Sequence, residues 1–201
     1  VTELKDFLPR LIFVEQPLHR LVALEEEVGQ TLRNWETAPP IIIDESDATT
    51  KCLARALDLG YSGTSHKNCK GVFKGIANRC RLLQLQQENP NVQYLMSGED
   101  LCNVGPVSLL QDLAVCAALG IASVERNGHH YNAGLSKFPP GVQEQVLRAH
   151  GDLYRRSEAG WPTLHITNGK INVTSLNESP FGMRFLLDTD QFTPADQWQW
   201  P

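Results

Sequence analysis

Five short strand-like runs, at 11–15, 41–43, 62–67, 92–97 and 121–125, each end in or lead directly into charged or polar residues, and four helix-like stretches at 18–34, 48–59, 71–88 and 105–119 separate them. Ile41-Ile42-Ile43 is apolar on both faces, the signature of a parallel strand covered on both sides; Pro39-Pro40 stops the unit before it. Leu18, Leu21, Val22, Leu24, Val28 and Leu32 recur at helical rather than alternating spacing. Ser46 or Asp47 can cap the second helix, and Gly60 can end it. Strands alternating with helices predict an α/β fold with a parallel sheet and right-handed crossovers. In a parallel barrel the C-terminal strand ends share one rim, and that rim is where barrel enzymes keep their chemistry.

The rest of the chain excludes several classes. With 201 residues, 41% of them hydrophobic and 20% charged, the chain can bury a sizeable core and is not disordered. A formal charge of −5 without any dense Lys/Arg tract argues against a nucleic-acid surface. No apolar run approaches the ~20 residues of a membrane span, and the first residues lack a signal peptide's apolar region, so a cytoplasmic protein with no membrane partner is expected. The five cysteines form no CxxC pair and are odd in number, which fits buried reduced thiols.

The strand ends carry the candidate chemistry. Glu15 and Asp44 are hard oxygen donors at neighbouring strand ends, the donor type that Mg²⁺ prefers; solvated loop acids are the plain alternative. Glu45 faces away from Asp44 by the period-two rule and reads as a carboxylate that hydrogen-bonds behind the metal ligands. The stretch Arg126-Asn127-Gly128-His129-His130-Tyr131, directly after Glu125, is dense in groups that bind polar ligands, with Asn127 and His129 the candidates for substrate. Adjacent histidines in an extended loop point apart, so a shared transition metal there is disfavoured. Residues 140–155 read as a helix, and the Asn168-Gly169 pair between alternating runs as a β-hairpin.

Val14-Glu15-Gln16-Pro17, Ile43-Asp44-Glu45-Ser46, Lys67, Ser97-Gly98-Glu99-Asp100 and Glu125-Arg126-Asn127-Gly128, in this order and at βα spacing, resemble the second half of the barrel of the enolase superfamily. The similarity is to its mandelate racemase and muconate-lactonizing branch and runs over roughly residues 1 to 182. The resemblance implies the C-terminal part of a (β/α) TIM-type barrel over 1–160, with a hairpin and tail over 161–201 that return toward a capping domain. That domain and the first three strands, with one metal ligand and one base, would lie ahead of Val1. It further implies that Glu15 and Asp44 hold Mg²⁺ and that Lys67 is the general base, with Lys70 and Lys74 as alternatives. Glu99 and Glu125 would polarise the substrate. The family's usual Gly-Gly after the lysine is absent from Lys67-Asn68-Cys69-Lys70-Gly71.

The implied reaction is abstraction of a proton α to the carboxylate of a small acid, such as an acid sugar, with stabilisation of the enediolate, as in racemases, dehydratases and cycloisomerases. The rival is a non-catalytic barrel fragment that assembles with a partner. An opened barrel exposes strand edges and an interior expected to be formed by Ile41, Ile43, Leu95 and Val124, so a homo-oligomer is expected.

Overall fold

The computed structural model describes residues 4, 6–99, 102–126 and 128–199. A five-stranded parallel sheet runs in sequence order: β1 (Val14–Glu15), β2 (Ile41–Ile43), β3 (Gly63–His66), β4 (Leu95–Glu99) and β5 (Val124–Glu125). The connecting helices are α1 (Glu26–Asn34), α2 (Cys52–Leu59), α3 (Val72–Glu88) and α4 (Ser108–Ala118). The α/β class and the βα alternation therefore hold. Beyond the sheet lie α5 (Gly128–Tyr131), α6 (Pro140–Ala149), β6 (Tyr154–Arg156), β7 (Pro162–Leu164) and α7 (Thr174–Asn177), with β6 and β7 antiparallel.

Contacts divide the chain into two compact units. Unit 1 runs to Glu99 and takes in Ile121–Val124; unit 2 comprises Asp100–Gly120 and Glu125 onward. In unit 1 the pleat sorts the side chains of β2 strictly. Ile41 and Ile43 pack with Ala56, Leu59 and Tyr61 and with Val28 and Leu32 of α1. Full burial of such a side chain contributes about 1.5–3 kcal/mol. The next residue along, Asp44, is thereby turned to the opposite face. The expectation that Ile41 and Ile43 line an open interior is thus corrected, because they belong to the helix-facing core. The other face of the sheet begins apolar, with Ile42 fully buried and Leu95 in the same row, and turns polar toward the strand ends: Ser65 and Ser97 are both buried and paired in register, with Lys67 and Glu99 beyond them.

Helix α1 starts eight residues later than the apolar spacing predicts. From Leu18 to Glu25 the chain is turns, and Leu21 is 76% exposed. The carbonyls a helix would use are engaged elsewhere: Arg20 O accepts from Ser46 Oγ, Ala23 O from the Tyr61 hydroxyl at 2.7 Å, and Leu24 O from Arg55 Nε. Helix α2 likewise begins at Cys52 with Lys51 at its N-cap, so neither Ser46 nor Asp47 caps it; Gly60 does end it, with φ of 103°. The helix expected at 140–155 stops at Ala149 and gives way to β6. Around Asn168-Gly169, both at positive φ, only a single bridge forms, between Thr167 and Lys170.

Unit 2 has its own core of Leu109, Leu110, Leu113, Leu135, Val146 and Leu153. The five cysteines are thiols, not disulfides, but the expectation of burial holds fully only for Cys116: Cys52 is half-buried, and Cys69, Cys80 and Cys102 are exposed. Among the described residues no helix is long and apolar enough to cross a membrane.

Candidate functional site

The carboxylates of Glu15, Asp44 and Glu99 offer oxygens that all lie within 4.8 Å of one another. They come from the ends of β1, β2 and β4. In a flat sheet β1 and β4 would stand about 14 Å apart, three spacings of ~4.8 Å. Ser97 Oγ on β4 nevertheless donates to Glu15 Oε2 at 3.5 Å. The sheet therefore curls, and the curl makes neighbours of strands that are not adjacent.

Two lysines from the end of β3 and the 3₁₀ turn after it, Asn68–Lys70, enter this cluster. Lys67 Nζ donates to Asp44 Oδ2 at 2.7 Å and pairs with Glu99 Oε2 at 2.5 Å. Lys70 Nζ donates to Asp44 Oδ1 at 2.7 Å, to the Asp44 carbonyl at 2.9 Å and to the Ser65 carbonyl at 2.8 Å. Lys70 thus commits all three of its hydrogens, whereas Lys67 commits two among the described residues. Burial favours the neutral amine of Lys67, but its hydrogen bonds to Asp44 and Glu99 and their charges outweigh it, and the pKa is raised. A general base near neutral pH needs a lysine pKa drawn down, and Lys67 shows the opposite direction, since the sequence did not reveal that two carboxylates would flank the ammonium. Burial likewise opposes ionisation of Asp44, and Lys67 and Lys70 override it and hold its pKa below the usual carboxylate value.

The ends of β1 and β2 are clamped together. Gln16 has a φ of 31°, which turns its side chain back so that its Oε1 accepts from the amides of both Asp44, at 2.7 Å, and Ser46, at 3.0 Å. The floor beneath the charges is hydroxylic: Ser65 Oγ is buried and has no hydrogen-bond partner among the described residues.

A second buried cluster lies three residues along the chain. Asp47 Oδ2 accepts from Lys74 Nζ at 2.5 Å and from Thr64 Oγ1 and Asn78 Nδ2 at 3.0 Å each. This cluster ties the loop after β2 to α3. Behind it, His66 sits against Gly75, where any Cβ would come within 2.4 Å of Nδ1. Burial lowers the His66 pKa, and its Nε2 pairs with Asn68 Oδ1 at 3.0 Å.

Of the residues expected to act, Glu15, Asp44, Lys67 and Glu99 come together. Glu99 stands among the candidate metal ligands rather than apart from them, and its alternation with Ser97 on one face of β4 was the available signal. Lys70, an alternative to Lys67 in the sequence, reaches the cluster because the turn after β3 carries it back. Lys74 is turned away to Asp47. Glu45 is exposed beside Asp44 and outside the cluster, and Glu125, exposed, ends β5 within unit 2. Asn127 and the side chain of His129 lie outside the described residues. No family model matches the sequence, and no curated protein or solved structure matches it at a significant level.

Proposed function

We propose that unit 1 carries the rim of a (β/α) TIM-type barrel of the enolase superfamily and that its site abstracts a proton α to a carboxylate with the help of Mg²⁺. The observation that carries this reading is the convergence of Glu15, Asp44 and Glu99, with Lys67 beside them, at the C-terminal ends of parallel strands. The donor set fits the ion. Oxygens around an octahedral Mg²⁺ at 2.0–2.1 Å stand about 2.9 Å apart when adjacent and about 4.2 Å when opposite, so oxygens within 4.8 Å need only a small contraction.

Bound there, Mg²⁺ would supply the positive charge that stabilises an enediolate. Glu15, Asp44 and Glu99 would hold it, and Gln16 would keep the first two at fixed separation. Lys67, with a hydrogen-bonding position to spare, would take the proton; Lys70, with none, would orient Asp44. Once the carboxylates share their charge with a cation, they support the ammonium of Lys67 less, and burial then draws its pKa down toward the range a general base needs. Ser65 Oγ, on the same face as Lys67, is placed to donate to a substrate oxygen.

The test is α-proton exchange into D₂O, followed by NMR over a panel of acid sugars and α-hydroxy acids with Mg²⁺. It is run on the 201-residue chain and on the native gene product that contains it. Exchange in either that disappears in Lys67→Ala, with carboxylate binding retained, supports the reading. Absence of exchange from every acid in both sinks it. The tight ion pairs of Lys67 favour a second reading, a non-catalytic fragment in which the cluster only ties strand ends together and which assembles with a partner. In that case Lys67→Ala lowers stability, and Mg²⁺ has no effect on any measured property.

A further inference from the structure

Unit 2 contains a cavity of about 150 Å³ that plays no part in the cluster of unit 1. Its walls include Leu109, Leu135, Leu164 and Ile166. A cavity of this size with aliphatic walls accommodates a benzene-sized body. Five polar side chains interrupt the apolar lining: Asn103, Arg126, Asn132, Tyr154 and Thr163.

Tyr154 is the informative one. It is 3% exposed and belongs to the core of the unit, yet its hydroxyl has no hydrogen-bond partner among the described residues. Buried hydroxyls without partners are rare, and an exception at the wall of a cavity points to a partner that arrives with a ligand. Phenylalanine at this position would fill the same space without the orphaned group. Arg126 adds a positive charge felt at Tyr154, and a guanidinium with a hydroxyl donor beside it matches a planar anion better than a neutral group.

We infer that this cavity is a binding site for a small carboxylic acid with a ring-sized apolar body, its carboxylate received by Arg126 and the Tyr154 hydroxyl and its body by the leucine and isoleucine walls. The site is independent of the proton-abstraction reading, because all its residues belong to unit 2. It recognises an anionic head on a compact apolar body and does not require chemistry at the α-carbon.

The probe is benzoate, with benzamide as the neutral isostere, titrated into the full chain and followed by saturation-transfer NMR and thermal unfolding. Benzoate is expected to bind and raise the unfolding temperature, and benzamide to bind at least about tenfold more weakly. Tyr154→Phe should keep the fold, unfold no earlier than the parent chain without ligand, and weaken benzoate by about ten- to a hundredfold. Arg126→Gln should erase the preference for benzoate over benzamide. Benzoate binding equal to that of benzamide, unchanged binding in Tyr154→Phe, or no binding of either probe overturns the inference.

Discussion

Asp44 and Asp47 are three residues apart, both buried and both bonded to lysine, yet they serve different ends. Asp47 gathers three donors on one oxygen, from β3 and from two positions four apart on α3, and its lysine is matched one to one. Asp44 stands in a cluster where three carboxylates face two lysines, each on a different strand end or turn. A closed pair of that first kind fixes a loop to a helix. Among the described residues the open cluster gathers more carboxylates than ammonium groups, which suits a site for a further cation. The chain places one on each side of a single short loop because its β2 pleat sends Asp44 inward before the loop turns Asp47 toward α3.

The largest expected effect tests that contrast directly. Asp47→Ala leaves Lys74 buried without its counter-charge and should cost about 3–5 kcal/mol in urea unfolding. Asp44→Ala takes from Lys70 its bonded carboxylate, but Glu15 and Glu99 offer oxygens within 4.8 Å of the vacated one with which the lysines can re-pair, so it should cost clearly less. Equal losses, or a greater one for Asp44, would erase the distinction.

Affinity for Mg²⁺ sharpens it from the other side. Glu15→Gln, Asp44→Asn and Glu99→Gln should each weaken calorimetrically measured binding by about tenfold or more, while a folded Asp47→Asn should leave it unchanged. Tight binding indifferent to all three carboxylates would remove the site from this rim.

Acid acts more gently and separates Asp44 from the buried histidines. Asp44 has a folded pKa below 3.8, so its stabilising contribution is present above that value and fades only as pH falls through the lower folded value. His150 in unit 2 is fully buried; burial holds its pKa below 6.5, with Nδ1 paired to Ser175 Oγ at 2.9 Å. The unfolded chain then takes up a proton that the folded one resists, so stability falls as pH drops below about 6.5. His66, the last residue of β3, is held below its usual value by burial in the same way. Hydrogen exchange at pH 5 should therefore show α6 and the end of β3 loosening, and loosening of α6 that persists in a folded His150→Gln would show that another group governs.

The smallest effect belongs to Glu45. It is exposed and outside the cluster, and Glu45→Gln should change stability by no more than about 0.5 kcal/mol and leave Mg²⁺ affinity alone. A marked loss of affinity would restore the role that its position beside Asp44 suggested.

The strands were legible because each βα unit repeats one pattern, so Glu15, Asp44 and Lys67 could be assigned to strand ends without knowing the fold in detail. The membership of Glu99 was not, because it depends on how far the sheet curls between β1 and β4, and curl is a property of four strands together. Helix α1 was overread at 18–25 because apolar spacing does not reveal that Ser46, Tyr61 and Arg55 claim the carbonyls there. The Asp47 network left one trace in the sequence, Lys74 and Asn78 four apart on one helix face, but its partner lies in a loop with no periodicity to betray it.

The Gln16 clamp bears on which ion such a rim would prefer. One side-chain oxygen holds two backbone amides of the neighbouring strand end, so Glu15 and Asp44 cannot separate without breaking both bonds. Ca²⁺ needs oxygens at 2.3–2.6 Å and more of them, in a cage that can spread; Mg²⁺ needs fewer at 2.0–2.1 Å in a fixed arrangement. A frame that resists widening would discriminate by ionic radius, and in an ion-loaded rim a single amide side chain, itself no ligand, would set that gauge.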